Sequence, residues 1–102
     1  MSAPVTIRQI APKLETFGPF EGVSISIGKH PSCDVALIST RVNRRHAVLE
    51  WHEGSLYVTD LGSVAGVLRN GVRIPSNMPV PLAPGDELTF GDRRLEVSWP
   101  AS

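Results

Sequence analysis

The chain has 102 residues, of which 41% are apolar and 20% are charged, and this size predicts one globular domain with its own core. Ten basic residues balance ten acidic ones, which argues against non-specific binding to nucleic acid or to an anionic membrane. No apolar run approaches the roughly 18 residues of a membrane span, and the N-terminus lacks the apolar core of a signal peptide. The single cysteine excludes an internal disulfide and fits a reducing compartment, so we expect a cytoplasmic protein.

Nine glycines and nine prolines interrupt every window long enough for a helix, and the apolar residues between them alternate with period two. The predicted strands cover residues 5–10, 23–27, 34–38, 46–51, 55–60, 67–68, 72–74, 80–82, 87–90 and 94–99. In the first strand, Val5, Ile7 and Gln9 share one face. In the second, Val23 is expected on the buried face together with Ile25 and Ile27.

Turn residues separate these strands. Glu53-Gly54 and Asn70-Gly71 predict two tight hairpins, because both pairs tolerate the positive φ of such turns. Pro12 and the segment around Gly18 and Pro19 are predicted to form a loop, as are residues 75–79. About ten short strands at this spacing predict an all-β sandwich.

The stretch from Gly28 to His46 is rich in cations. It contains Lys29, Arg41, Arg44 and Arg45 around two predicted turns. A surface loop of this composition is suited to meeting an anion, and the zero net charge of the chain makes any such affinity local.

Four motifs in this chain, SIGKHPSCDVAL, VNRRHAVLEW, DLGSVAGVLRNGVRI and LAPGDELTFGD, stand in the order and spacing of the forkhead-associated (FHA) domain. The resemblance covers about residues 5–98, so we expect one FHA domain over residues 1–102. It implies an eleven-stranded β-sandwich. It also implies a peptide site on the loops at one end, which typically reads phosphothreonine.

The resemblance assigns site roles to residues of the cation-rich stretch. Gly28 and Lys29 match the family's glycine and phosphate-binding basic residue, which is usually Arg. Lys keeps the charge but lacks the bidentate fork of a guanidinium. Asn43 replaces a Ser that binds phosphate, Arg44 matches a basic phosphate contact, and His46 matches a structural histidine that braces the binding loop.

Further along the chain the family pattern is broken. Ala65 replaces an Asn that holds the peptide main chain, and it cannot make that hydrogen bond. Gly66 keeps the family's glycine, Val67 replaces the usual Thr, and Ser63 is a further candidate for ligand contact. Arg41 stands where FHA domains often select the residue three positions after phosphothreonine, which suggests an acidic or polar preference.

Two functions from different classes follow. The first is phosphothreonine-dependent peptide binding at a site that departs from the family pattern at Asn43 and Ala65. Its partner would be a protein that is a substrate of a Ser/Thr kinase. The second is a phosphate-independent scaffold, as in bacterial secretion or signalling complexes. Ala65 and Val67 favour the second function, because both are expected to make the ligand surface more apolar.

No enzymatic or cofactor motif is visible. His46 has no nearby Ser or Cys nucleophile with an orienting acid. His30, Cys33, His46 and His52 match no recognised zinc-ligand spacing. We therefore expect no catalytic residue, no metal and no cofactor.

Overall fold

A computed structural model of the chain describes residues 3–100, and within that range it contains eleven β-strands and no helix. The strands are β1 (Val5–Ala11), β2 (Glu15–Phe20), β3 (Ser24–Gly28), β4 (Val35–Ala36), β5 (Ala47–His52), β6 (Ser55–Asp60), β7 (Val67–Arg69), β8 (Val72–Arg73), β9 (Val80–Pro81), β10 (Asp86–Phe90) and β11 (Arg93–Ser98). The described part of the chain thus has no helix that could cross a membrane. The predicted all-β class is confirmed.

The strands form two sheets. The six-stranded sheet has the order β2-β1-β11-β10-β7-β8, and the five-stranded sheet has the order β4-β3-β5-β6-β9. Neighbouring strands are antiparallel except β3 and β4, which are parallel. The core lies between the inner faces, where alternate residues of each strand are buried.

The inner face of β1 carries one polar residue, as the alternation predicted. Val5, Ile7 and Gln9 are all fully buried. Gln9 is nevertheless satisfied, because its Nε2 donates to the carbonyl of Lys13 at 2.9 Å and its Oε1 accepts from Arg93 at 3.1 Å. Arg93 also donates to the carbonyl of Ile38. This network ties the loop between β4 and β5 to the six-stranded sheet.

The predicted loop around Gly18 and Pro19 is wrong, because these residues belong to β2. This strand lies at the edge of its sheet, where a proline breaks no hydrogen bond on the open side. The pairing shifts register between Val5 and Ile7, opposite these two residues, and Gly18 has a φ of 98°. This shift in register allows an edge strand to contain residues that are typical of loops.

The predicted burial of Val23 is also wrong. Its side chain is 68% exposed, and β3 begins one residue later at Ser24. Ile25 and Ile27 are buried as expected. The predicted strand at residues 34–38 shortens to the two residues of β4, and the N–H of Leu37 just after it donates to the carbonyl of Gly28 in β3 at 2.8 Å.

Both predicted hairpin turns form. Glu53 and Gly54 have φ values of 51° and 81°, and Asn70 and Gly71 have values of 50° and 84°. Two-residue turns with positive φ at both positions match the twist of the flanking strands. The second turn fixes the register of β7 on β8, which pairs Leu68 with Arg73.

Asp86 connects this hairpin to the turn before β10. Its carboxylate accepts hydrogen bonds from Arg69, Asn70 and the backbone N–H of Ala83, at 2.8 to 3.0 Å. Burial acts to raise the pKa of Asp86, but these hydrogen bonds and the charge of Arg69 outweigh it and lower the pKa below 3.8. The ionised form is therefore the one that stabilises the fold.

We predict that Asp86→Ala lowers the free energy of unfolding by about 2 to 3 kcal/mol at neutral pH, because it leaves several donors without their acceptor. A lowered pKa in the folded state means that this contribution is present above about pH 3.8 and is lost as the pH falls through the folded pKa. Urea unfolding of both proteins at several pH values checks this. A difference that stays constant down to pH 2 would contradict it.

Candidate functional site

His46 lies where three loops meet at one end of the sandwich. The residue is fully buried, and its Nε2 is 2.8 Å from the carbonyl oxygen of Gly66. Its Nδ1 accepts from the backbone N–H of Asn43 at 3.2 Å. Since a carbonyl can only accept and an N–H can only donate, the ring is the neutral tautomer with hydrogen on Nε2. His46 thus joins the β4–β5 loop to the β6–β7 loop, as the resemblance implies.

The β3–β4 loop is attached to the same place by its backbone. The N–H of Lys29 donates to the carbonyl of Asn43 at 2.9 Å, and the N–H of His30 donates to that of Arg44 at 3.1 Å. Gly28 makes this close approach possible, because a Cβ at this position would overlap the carbonyl group of Arg44. The glycine is required by space rather than by an unusual φ.

The side chain of Asn43 contacts the third loop. Its Oδ1 accepts from the backbone N–H of Val64 at 3.4 Å, a long bond. The Nδ2 group is then the part of the amide that can donate to a ligand. The residue that replaces the family's Ser therefore has a structural contact of its own.

Ser63 is buried in the turn after β6. Its hydroxyl donates to Asp60 Oδ1 at 2.6 Å and its N–H donates to the same oxygen at 3.1 Å. The other oxygen of Asp60 accepts from Ser76 at 3.1 Å. The ligand contact predicted for Ser63 thus has little exposed surface to support it, since the residue is only 6% exposed.

Exposed cations surround this end of the molecule. Lys29, Arg41, Arg44 and Arg45 are all exposed, and none of them forms an ion pair within residues 3–100. The basic residues that do form ion pairs with acidic side chains lie on other parts of the chain: Arg8, Arg69, Arg93 and Arg94.

Arg73 is a further cation at this end, and no sequence motif pointed to it. Its guanidinium lies against Gly66, so close that a Cβ added there would come within 2.7 Å of the Cζ atom. Arg73 is exposed and has no ion pair among the described residues. The predicted Asn70-Gly71 hairpin could have indicated this position. Its register pairs Arg73 with Leu68, which is two residues beyond Gly66.

A groove of about 550 Å³ lies between the loops. Arg41, Asn43 and Ala65 line it, as expected of ligand-facing residues, whereas Lys29, Arg44 and Ser63 do not. The remaining lining residues were not singled out from the sequence: Thr40, Val64, Leu68, Thr89 and Gly91. The structure thus brings half of the predicted ligand residues to one groove.

The expectation that Val67 makes the ligand surface apolar is wrong. Val67 is fully buried, because it belongs to the inner face of β7. Val64 provides exposed apolar surface instead, with 87% of its side chain exposed, and the neighbouring Ala65 is also exposed. Val64 lies outside every predicted strand, so the alternation of apolar and polar residues gave no information about its exposure.

Arg41 has an acidic neighbour at the rim of the groove. The hydroxyl of Ser39 donates to Asp92 at 2.6 Å, and the N–H of Arg41 donates to that hydroxyl at 3.1 Å. The hydrogen bond from Ser39 holds the pKa of Asp92 below its usual value, and the charges of Arg93 and Arg41 act in the same direction. Asp92 therefore places an ionised carboxylate near Arg41, although the two side chains form no ion pair.

In the part of the chain that the structure describes, no three His, Cys, Asp or Glu side chains are grouped as metal ligands. His30 contacts Ser32, and Cys33 contacts the carbonyl of Arg44. His52 lies at the far end of β5 from His46.

We predict that Gly28→Ala lowers the free energy of unfolding by about 1 to 3 kcal/mol, since the methyl group can be accommodated only by separating two hydrogen-bonded loops. Amide chemical shifts of Lys29, Asn43 and Arg44 should change most. Gly22→Ala is the matched control, because a Cβ there meets only one atom within 4 Å, at 3.9 Å. Equal stability of the two variants would contradict the prediction.

Known proteins resemble this chain in sequence and in fold. Residues 25–91 match the family model of the FHA domain. The chain is 43% identical over 68 residues to an oxoglutarate dehydrogenase inhibitor of Corynebacterium diphtheriae, covering 67% of this chain and 46% of that protein. It is 41% identical over 70 residues to the glycogen accumulation regulator GarA of Mycolicibacterium smegmatis, covering 69% of this chain and 42% of that protein. The chain thus spans about half the length of these curated relatives.

A solved structure gives the same result for the fold. Mycobacterium tuberculosis EmbR, in complex with a low affinity phosphopeptide, superposes with a TM-score of 0.86 and 27% sequence identity. The superposition covers all of this chain and 26% of the EmbR chain. Since the family model matches about two thirds of its residues, the chain belongs to the FHA domain family.

Proposed function

We propose that this FHA domain binds phosphothreonine peptides at the loop end of its sandwich, and that it does so as a non-enzymatic interaction module. One observation carries the proposal. Although the net charge of the chain is zero, five exposed cations without an ion pair among residues 3–100 lie at the loop end of the sandwich: Lys29, Arg41, Arg44, Arg45 and Arg73. One of them, Arg41, lines the groove. A phosphate group brings about −1.5 to −2 charges and three acceptor oxygens to such a surface.

Lys29, Arg44 and Asn43 are the residues proposed to hold the phosphate. Lys29 and Arg44 have exposed side chains on two loops whose backbones are bonded to each other, so their positions are coupled. The Nδ2 of Asn43 supplies a neutral donor beside them. Gly28, His46 and Gly66 support this arrangement through the backbone contacts that they make.

Arg41 is proposed to read a flanking side chain of the peptide in the groove. Ala65 lines the same groove but has no side-chain donor for the peptide main chain. The loss of that hydrogen bond should make binding weaker than a family site with Asn, by about one order of magnitude at 1.4 kcal/mol per decade.

The relatives provide independent support for a regulatory module. Two of them are named as an inhibitor and a regulator, and EmbR has been solved with a phosphopeptide. The proposed partner is accordingly a protein that a Ser/Thr kinase has phosphorylated.

We predict that Arg44→Ala weakens phosphopeptide binding by about 10- to 100-fold, the equivalent of one charge-assisted hydrogen bond, and leaves the fold intact. The measurement is an NMR titration with a degenerate phosphothreonine library and its unphosphorylated twin. Arg8→Ala is the control, because it removes the same charge from an exposed ion pair on β1. Unchanged affinity in Arg44→Ala would refute the assignment.

We predict that Asp92→Asn raises the affinity for peptides with Asp three residues after phosphothreonine by about two- to fivefold, the range of an exposed ion pair. The substitution removes the negative charge near Arg41 and keeps an oxygen that can accept from Ser39. Peptides with Leu at that position should be affected less. Equal gains for both peptides would mean that Arg41 does not read this side chain.

A phosphate-independent scaffold is the second candidate. It is favoured by the apolar surface of the groove, where Val64 is 87% exposed beside Ala65. A partner that uses this surface would bind equally well before and after phosphatase treatment. Equal binding of the phosphorylated and unphosphorylated libraries would select this function over the first.

A further inference from the structure

A second cavity, of about 390 Å³, lies away from the cationic loops. Its lining residues come from the hairpin of β5 and β6 and from the segment before β9: Glu50, Trp51, His52, Tyr57 and Pro79. β5 begins beside His46 and ends at His52, and six residues of strand span about 20 Å at roughly 3.3 Å per residue. The cavity is therefore near the opposite end of the sandwich from the proposed peptide site, and it is large enough for a side chain or small ligand.

Two aromatic rings form adjacent walls of this cavity. The centroids of the His52 and Tyr57 rings are 6.4 Å apart, and their planes meet at 67°. Glu50 is the direct cross-strand partner of Tyr57, so its carboxylate lies on the same outer face of the sheet. Trp51 points to the other face, where its ring packs edge to face against Trp99 at 5.6 Å. Pro79 completes an apolar side.

The charges near this cavity are opposite in sign to those at the loop end. Glu50 and Glu53 are exposed and have no ion pair among residues 3–100. No Lys or Arg lines the cavity. An aromatic face attracts a cation through its quadrupole, and an adjacent carboxylate adds to that attraction. A neutral apolar group would gain nothing from Glu50.

We propose that this cavity binds the alkylammonium group of a lysine side chain, with or without N-methylation, presented by a partner protein. Tyr57 contacts the cation with the face of its ring, His52 forms the wall beside it, and Glu50 supplies the counter-charge. The site does not depend on phosphopeptide binding. A single domain could thus contact a basic segment at one end and a phosphorylated segment at the other.

The test is an NMR titration of the labelled domain with tetramethylammonium chloride and, separately, with tert-butanol, a neutral compound of similar size and shape. We expect shifts of Glu50, His52 and Tyr57 amides with the cation and not with the alcohol. Equal responses would show an apolar cleft without preference for charge, and no response to either compound would also overturn the proposal. A lysine peptide and its norleucine twin should then reproduce the difference.

Substitutions test the contributions of the Tyr57 ring and the Glu50 carboxylate separately. Tyr57→Leu should abolish the response, whereas Tyr57→Phe, which keeps the aromatic face, should retain it. Glu50→Gln changes an exposed residue and should weaken binding about two- to fivefold at low salt. If Tyr57→Leu does not fold, Glu50→Gln decides: unchanged affinity in that variant overturns the proposed role of the carboxylate. Phosphopeptide binding should be unaffected throughout, which distinguishes failure here from failure of the proposed function.

Discussion

The buried imidazole of His46 is the contact on which the loop end depends. It connects an N–H from one loop to a carbonyl from another, and its ring packs edge to face against Phe90 at 5.3 Å. Each of those backbone groups would otherwise need a partner in a site that water does not reach, at a cost of about 1 to 3 kcal/mol. A neutral histidine is well suited to this place because it offers one donor and one acceptor on opposite sides of a rigid ring. The exposed cations of these loops keep their positions relative to one another because the loops are held in this way.

Much of the fold was predictable from the sequence, for reasons that individual residues make clear. Alternation is informative where one face is buried, and it correctly oriented Val5, Ile7 and Gln9. Asn70-Gly71 identified its hairpin because few residue pairs accept positive φ at both positions. Local sequence patterns failed to predict a strand where its position in the sheet determines whether it forms. β2 forms despite Gly18 and Pro19 because it has a partner on only one side, and no local pattern reveals which strand will lie at an edge.

The candidate site was predictable to a lesser degree. Residue types and family motifs identified the loops, and Arg41, Asn43 and Ala65 do line the groove. The motifs did not reveal that Asn43 holds Val64, that Ser63 is engaged by Asp60, or that Arg73 lies over Gly66. The first contact joins segments 21 residues apart, and the other two join residues of one turn and of one hairpin, whose side-chain directions the motifs do not specify. A motif specifies which residue types a site needs, whereas the exposure of each side chain depends on how the loops pack. Short polar side chains are the ones for which a motif is least able to indicate exposure.

The separation of charge within a neutral chain has a kinetic consequence. Exposed cations are gathered at the loop end, while Glu50 and Glu53 lie toward the other end, so charge is unevenly distributed although the formal net charge is zero. Local positive potential of this kind steers an anionic partner before contact, and it acts on the association rate rather than on the lifetime of a complex. The Debye length is about 8 Å at physiological ionic strength, so added salt should slow encounter well before it alters the packed contacts of the bound state. The domain gains this orientation without the excess basic charge that would also attract nucleic acid.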